Sequence, residues 1–281
     1  MDRIVVGVDR SEGAGAALRF AVRLVNRIET VTHHSGPHVL AVAVSGLTGA
    51  EEPLDEIIFE HGALGEVIDM AVREAADRGV HLDTLTADGE PGRALVRLAA
   101  QRHADLLVVG ARSDSGFARS RIGSVAHHLA RRSTCPVALV PYGGWPAPRR
   151  RVLAVDGTAG ARAAVAWCAT TAAQLGAAVT GVTVCHRPHD IPSDAAHEDF
   201  QRVQRAHYDW TAPLRSADIE MHAELSHAPS VACALLDAAR RTDARLIVIG
   251  THDEPERLGD TTTQLMHDLH VPLILVPTNG G

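Results

Sequence analysis

Two apolar runs in this chain end on residues able to do chemistry. IVVGV (4–8) leads to Asp9, and LLVV (106–109) leads to Gly110. After Gly110 comes a loop rich in Gly, Ser and Arg, then a helical stretch opening on Gly123, Ser124 and Val125. A Gly-Ser pair at the start of a helix offers backbone N–H groups and a hydroxyl to an anion, and the helix dipole favours negative charge there. A carboxylate on an adjacent strand end accepts hydrogen bonds from ribose hydroxyls. Together these residues describe a mononucleotide pocket. Each also has a plainer reading: Asp9 as the acid before a helix that Ser11 caps, and Gly123-Ser124 as an ordinary helix start.

Such a pocket needs strands whose ends converge. The apolar runs of the first half are short and nearly continuous, as in parallel strands covered on both faces. They predict strands near 3–8, 38–44, 81–86, 105–109 and 136–140. Helices are predicted over 12–28, 63–78, 91–103 and 123–132, the first carrying an apolar stripe of helical period and the second closed by Gly79. Alternating strands and helices mean a parallel sheet with right-handed crossovers. Ligands of such a sheet lie outside the carboxyl ends of its strands, where the strand order reverses.

The pattern then repeats. RIVVGVD (3–9) returns as RVLAVD (151–156), ADLLVVG (104–110) as ARLIVIG (244–250), and CPVALVP (135–141) as VPLILVP (271–277). Matching segments in the same order indicate a tandem duplication, with domains over 1–143 and 150–281. The break falls in YGGWPAPRRR (142–151), read as an exposed linker in which Arg149–Arg151 is a solvated run. Second-half strands are predicted near 152–156, 178–184, 219–225, 244–249 and 273–276. The fold class is α/β: two tandem open five-stranded parallel sheets with helices on both faces. Between the second and third of these strands, Phe200, Val203, His207 and Trp210 read as a packing face.

Composition removes whole classes of function. All 27 cationic side chains of the 281 residues are Arg, which rules out Schiff-base chemistry, a catalytic lysine and a Walker-type phosphate loop. The net charge of −7 argues against nucleic acid as a partner. Four cysteines without metal spacing read as reduced, mostly buried thiols, and the histidines lack acidic partners at ligand spacing, so no metal site is expected. The charged N-terminus does not read as a signal peptide, and no apolar run approaches the ~20 residues of a membrane span. A cytoplasmic location without membrane contact is the expectation.

The start VGVDxS, the run Gly110-Ala111-Arg112-Ser113, the nine residues before Gly123-Ser124, and the closing CPVALVP together resemble the universal stress protein family. Its nucleotide-binding members carry G-x-x-G, nine residues, then G-S or G-T. The resemblance covers nearly the whole chain, as two fused family domains. It implies a Rossmann-like domain of the adenine-nucleotide-binding type that holds ATP, with Mg²⁺ on the phosphates, and turns over little of it. The implied role is not enzymatic: a nucleotide-dependent regulator in stress or dormancy, acting on a protein partner, with a homodimer of the tandem chain as one arrangement. By position, Asp9 would sit by the ribose and adenine, and Val44 (or Val42) would meet the adenine. Gly110, Arg112, Ser113, Gly123, Ser124 and Val125 would line the phosphates. A weak ATPase and a dimerisation scaffold that binds no nucleotide are the alternatives.

Two departures from the pattern matter. Ser113 stands where the family has Gly; at positive φ its Cβ would cost on the order of 1 kcal/mol, which a hydroxyl-to-phosphate bond could offset. The second half departs further. Asp156 and Gly250 are kept, but Asp253 replaces the second Gly, the loop to Gly259 is four residues shorter, and Asp260 replaces the Ser. Residues 111–124 carry a balance of +2, with Arg112, Arg119 and Arg121 against Asp114. Residues 251–260 carry −3, with Asp253, Glu254, Glu256 and Asp260 against Arg257. Carboxylates beside a triphosphate repel it, so a single site in the first half is expected.

Overall fold

The computed structural model describes residues 1–45, 66, 69, 72, 73, 75–112, 122–185, 193–251 and 258–278. They form two compact units: Met1–Ala147 with Leu269–Pro272, and Pro148–Asp268 with Leu273–Gly281. In the first unit, strands β1 (Arg3–Val8), β2 (His38–Ser45), β3 (Leu82–Asp88), β4 (Leu106–Gly110) and β5 (Val137–Val140) lie in the order β3-β2-β1-β4-β5, every neighbour parallel. The order reverses between β1 and β4. The switch point therefore falls where Asp9 and Gly110 follow their strands.

Three described helices serve this sheet: α1 (Glu12–Thr32), α2 (Pro91–Gln101) and α3 (Ser124–Arg132). Ser11 caps α1, its side chain accepting from the Ala14 N–H. The helix continues past the predicted end at 28 to Thr32, where His33 turns the chain at φ 57. Ile28 is its last buried residue, so hydrophobic period alone could not see the final turn, where only Thr30 is fully exposed and the rest are half-buried. The predicted helix 63–78 lies mostly outside the described residues; Gly79 has the left-handed φ of +69 that a C-terminal glycine is used for.

The second unit repeats the plan. Strands β6 (Arg150–Ala154), β7 (Ala178–Val184), β8 (Met221–Ser226), β9 (Ile247–Gly250) and β10 (Leu273–Val276) run parallel in the order β8-β7-β6-β9-β10. Helices α4 (Ala159–Leu175), α5 (Ser193–Trp210), α6 (Ala212–Ser216), α7 (Val231–Arg241) and α8 (Asp260–His267) accompany them. Both units share one close approach. A Cβ on Gly110 would stand 2.6 Å from the carbonyl carbon of Gly13 in α1, and one on Gly250 would overlap the carbonyl of Gly160 in α4.

Three expectations are corrected or qualified. The linker is exposed at Gly143, Gly144, Pro146, Arg149 and Arg150, but it is also tied to the first unit: the Trp145 indole donates to the Pro141 carbonyl at 2.9 Å, and Arg23 donates to the Trp145 carbonyl at 2.6 Å. Arg151 is not part of a solvated run. β6 starts at Arg150, two residues earlier than predicted, and pairing RVLAVD with RIVVGVD gives Arg151 the inward position held by Ile4. Its side chain is fully buried beneath α4, with Nη1 donating to Thr171 Oγ1 at 2.8 Å and Nε and Nη2 without partners. Burial lowers its pKa and pushes that of the adjacent, equally buried Cys168 thiol up to about 11. Finally, on α5 His207 is buried and Val203 and Trp210 are half-buried, but Phe200, two turns before His207 on the same side of the helix, is 40% exposed.

A buried, half-satisfied guanidinium costs stability. Arg151→Met should raise the unfolding free energy by about 1–4 kcal/mol, because Thr171 keeps its bond to the Trp167 carbonyl and is not orphaned. The check is a urea midpoint that rises with unchanged m. Gly110→Ala should lower stability by about 1–3 kcal/mol in the same assay, through overpacking against Gly13.

Candidate functional site

A cleft opens at the carboxyl ends of β1 and β4, with α2 and α3 forming its far walls. It encloses about 630 Å³, counting the open solvent at its mouth. Asp9, Val44, Gly110, Arg112, Gly123, Ser124 and Val125 all line it. Ser113 lies outside the described residues, as do Asp114, Arg119 and Arg121 of the same loop. Val42 lines the cleft as well as Val44. They are two residues apart on β2 and so share a face, and the two candidates turn out to be neighbours on one wall.

The cleft also includes Ser11, read from the sequence only as a helix cap, and Pro91 and Leu95, which sequence reasoning did not single out. One signal for Leu95 was present: Gly7 interrupts an apolar strand. A Cβ there would stand 2.8 Å from Leu95 Cδ1, so the glycine makes room for α2 against β1.

Asp9 has a local role. Its Oδ1 accepts from the Ser11 N–H at 2.9 Å, which turns the chain from β1 into α1, and the residue lines the cleft. Asp156 does the same in the second unit, accepting from the Thr158 N–H at 2.9 Å and its hydroxyl at 2.7 Å. The turn alone accounts for an acid at both positions.

Three helix N-termini meet the cleft, and they differ. At α1, Ser11 is the cap, its side chain accepting from the Ala14 N–H. At α2, Glu90 already fills the anion position: Oε1 accepts from the Gly92 N–H at 2.9 Å and Oε2 from the Arg93 N–H at 2.8 Å. Burial pushes the Glu90 pKa up, but those amides, with His128 and Arg93 nearby, outweigh it and hold the carboxyl below its ordinary range. At α3 the capping residue is Gly123, which makes no side-chain cap bond, and its own N–H goes to the Ala111 carbonyl at 3.0 Å. The first N–H groups of a helix have no intrahelical acceptor, so α3 presents an open positive end beside the Ser124 hydroxyl. The equivalent α8 also starts after an uncapped glycine, Gly259, but Asp260 in its first turn supplies the negative charge itself. Asp253, Glu254, Glu256 and Arg257 lie outside the described residues.

Arg112 is the one cation among the described lining residues. A single long bond from Nη2 to the Leu269 carbonyl, 3.4 Å, holds its guanidinium, and Nε is buried without a partner. Among the described residues no three His, Cys, Asp or Glu side chains converge as a metal site, and no helix is long and apolar enough to cross a membrane.

Comparisons with known proteins bear on the family and the fold. The model of the Universal stress protein family matches residues 1–141 and again 148–277. Universal stress protein YxiE of Bacillus subtilis is 34% identical over 146 residues, covering 50% of this chain and 98% of that protein. Universal stress protein MJ0531 of Methanocaldococcus jannaschii is 28% identical over 143 residues, covering 49% of this chain and 81% of that one. A solved universal stress protein from Archaeoglobus fulgidus shares the fold at a TM-score of 0.76 and 16% identity, with 98% of each chain covered. Two successive family matches on two units of one strand order have a single reading: the chain belongs to the universal stress protein family, as a tandem of two of its domains.

Proposed function

We propose that this chain is a cytoplasmic, nucleotide-dependent regulator that holds ATP, with Mg²⁺ on the phosphates, in its first unit and turns over little of it. The observation that carries the reading is the uncapped N-terminus of α3 opening on the same cleft as Asp9. Oδ2 of Asp9 would accept from ribose hydroxyls, and Val42 and Val44 with Leu95 would make the apolar wall for adenine. Ser124, the first amides of α3 and Arg112 would donate to phosphate. The described lining holds no Lys or His and one carboxylate, which is assigned to the ribose, so none of the described lining residues is left as a general base for an attacking water. The second unit keeps the scaffold but spends the positive end of α8 on Asp260, which supports one site per chain.

Denaturing the purified protein should release about one adenine nucleotide per chain, and ATP·Mg²⁺ titration should give the same stoichiometry with negligible phosphate release. Ser124→Asp, which installs the residue of the second unit, should weaken binding at least tenfold, about 1.4 kcal/mol. Asp9→Ala should weaken it without changing the fold. Steady phosphate release would replace the regulator with an ATPase. No nucleotide and no binding up to millimolar ATP would leave an interaction scaffold.

A further inference from the structure

Helix α5 is held onto the second sheet around one buried histidine. His207 is 2% exposed, and its Nδ1 lies 2.7 Å from Thr183 Oγ1 on β7. That hydroxyl has a single proton, which goes to the Val155 carbonyl at 2.6 Å. Nδ1 must therefore donate, and the neutral ring carries its proton there, leaving Nε2 bare. Nε2 is buried with no partner, and it stands 3.2 Å from where a Cβ of Gly181 would be. Three residues on, the Trp210 ring lies over Gly157, which sits at φ +77 and has no room for a Cβ.

We propose that His207 is an acid-operated latch: neutral, it docks α5 on β7, and protonation at Nε2 releases the helix. The added proton would face the Gly181 backbone with no acceptor among the described residues, and none of their carboxylates is placed to offset the charge. Around the ring, β7 contributes only Thr183 as a polar group, and Asp156 beyond β6 is taken by Thr158. On β8, Glu224 pairs with Arg241, while Glu220 before the strand pairs with His222. On α5 itself, Asp199 pairs with Arg202, and Arg205 and Asp209 are exposed. The charged neighbour from α6 is Arg215, of the wrong sign. Burial first, then Arg215, holds the His207 pKa below its ordinary value. The folded state thus favours the neutral ring. Its contribution is complete above about pH 6.5 and is lost as pH falls below that, by up to about tenfold in the docking equilibrium per pH unit.

The test uses the full chain with 5-fluorotryptophan and isotope-labelled histidine. As pH falls from 7.5 to 5, the Trp210 fluorine signal should shift to a solvent-exposed value while those of Trp145 and Trp167 stay. His207→Gln, whose amide can still donate to Thr183 but gains no proton, should hold Trp210 fixed. Histidine spectra of the unmodified chain, which stand even if that variant fails to fold, should show the Nδ1–H form at neutral pH. An Nε2–H form, titration of His207 without movement of Trp210, or the same Trp210 profile in His207→Gln would overturn the proposal.

Discussion

The backbone at the start of α1 crosses the end of β4 with no side chain between them, and the cleft depends on that contact. Gly13 and Gly110 meet there, as Gly160 and Gly250 do in the second unit. The contact seats a helix N-terminus against the strand beyond the reversal of strand order. It thereby fixes where Asp9, on one strand end, stands relative to the loop leaving the other. A larger residue at either glycine would push α1 off the sheet and open the switch point. Gly110 therefore cannot be read as a phosphate residue from its presence alone. Gly250 is retained although its loop has been shortened and acidified, and the helix crossing is reason enough.

What separates the two units is the chemistry laid on a shared frame. Asp9 and Asp156 make the same turn, and Gly123 and Gly259 start α3 and α8 in the same backbone conformation, without a side-chain cap. The difference is one residue further on. A serine at the first helical position leaves the positive end of the helix to whatever enters the cleft, whereas an aspartate neutralises it from within. Glu90 does for α2 what Asp260 does for α8, and Ser11 caps α1, so of the three helix ends at the first cleft only that of α3 lacks a side-chain cap. That asymmetry also gives a bound ligand a direction.

Much of this was legible in the sequence. Strand positions in the first half follow from short apolar runs, and the duplication follows from segments repeated in order. The residues at strand ends gather in one cleft because parallel topology requires it. What escaped had physical reasons. The last turn of α1 carries no buried residue, so hydrophobic period stops short of it. Arg151 reads as surface because charge normally is surface, and only the register with Ile4 reveals an inward position. Leu95 looks like any apolar residue of a helix stripe; its place at the cleft depends on Gly7 lacking a side chain. The linker's Pro and Gly residues suggest an exposed chain, yet Trp145 and Arg23 tie it down through bonds to backbone carbonyls that no local pattern announces.

The second unit also shows what a fold tolerates. Arg151 and His207 both bury nitrogen atoms without partners, and each such group works against a domain whose net stability is small. They sit differently, however. Arg151 carries a charge at every physiological pH, and its cost is the same under all of them. His207 is neutral where the domain is stable and has a lone pair that a falling pH can fill. Of these two unsatisfied groups in one core, the histidine alone can change state within the range a cell experiences, and it lies at the contact between α5 and the sheet. Asp9 and Arg112 of the first unit line an open cleft, where a ligand can answer them, whereas His207 of the second lies in the interior, where only the proton can.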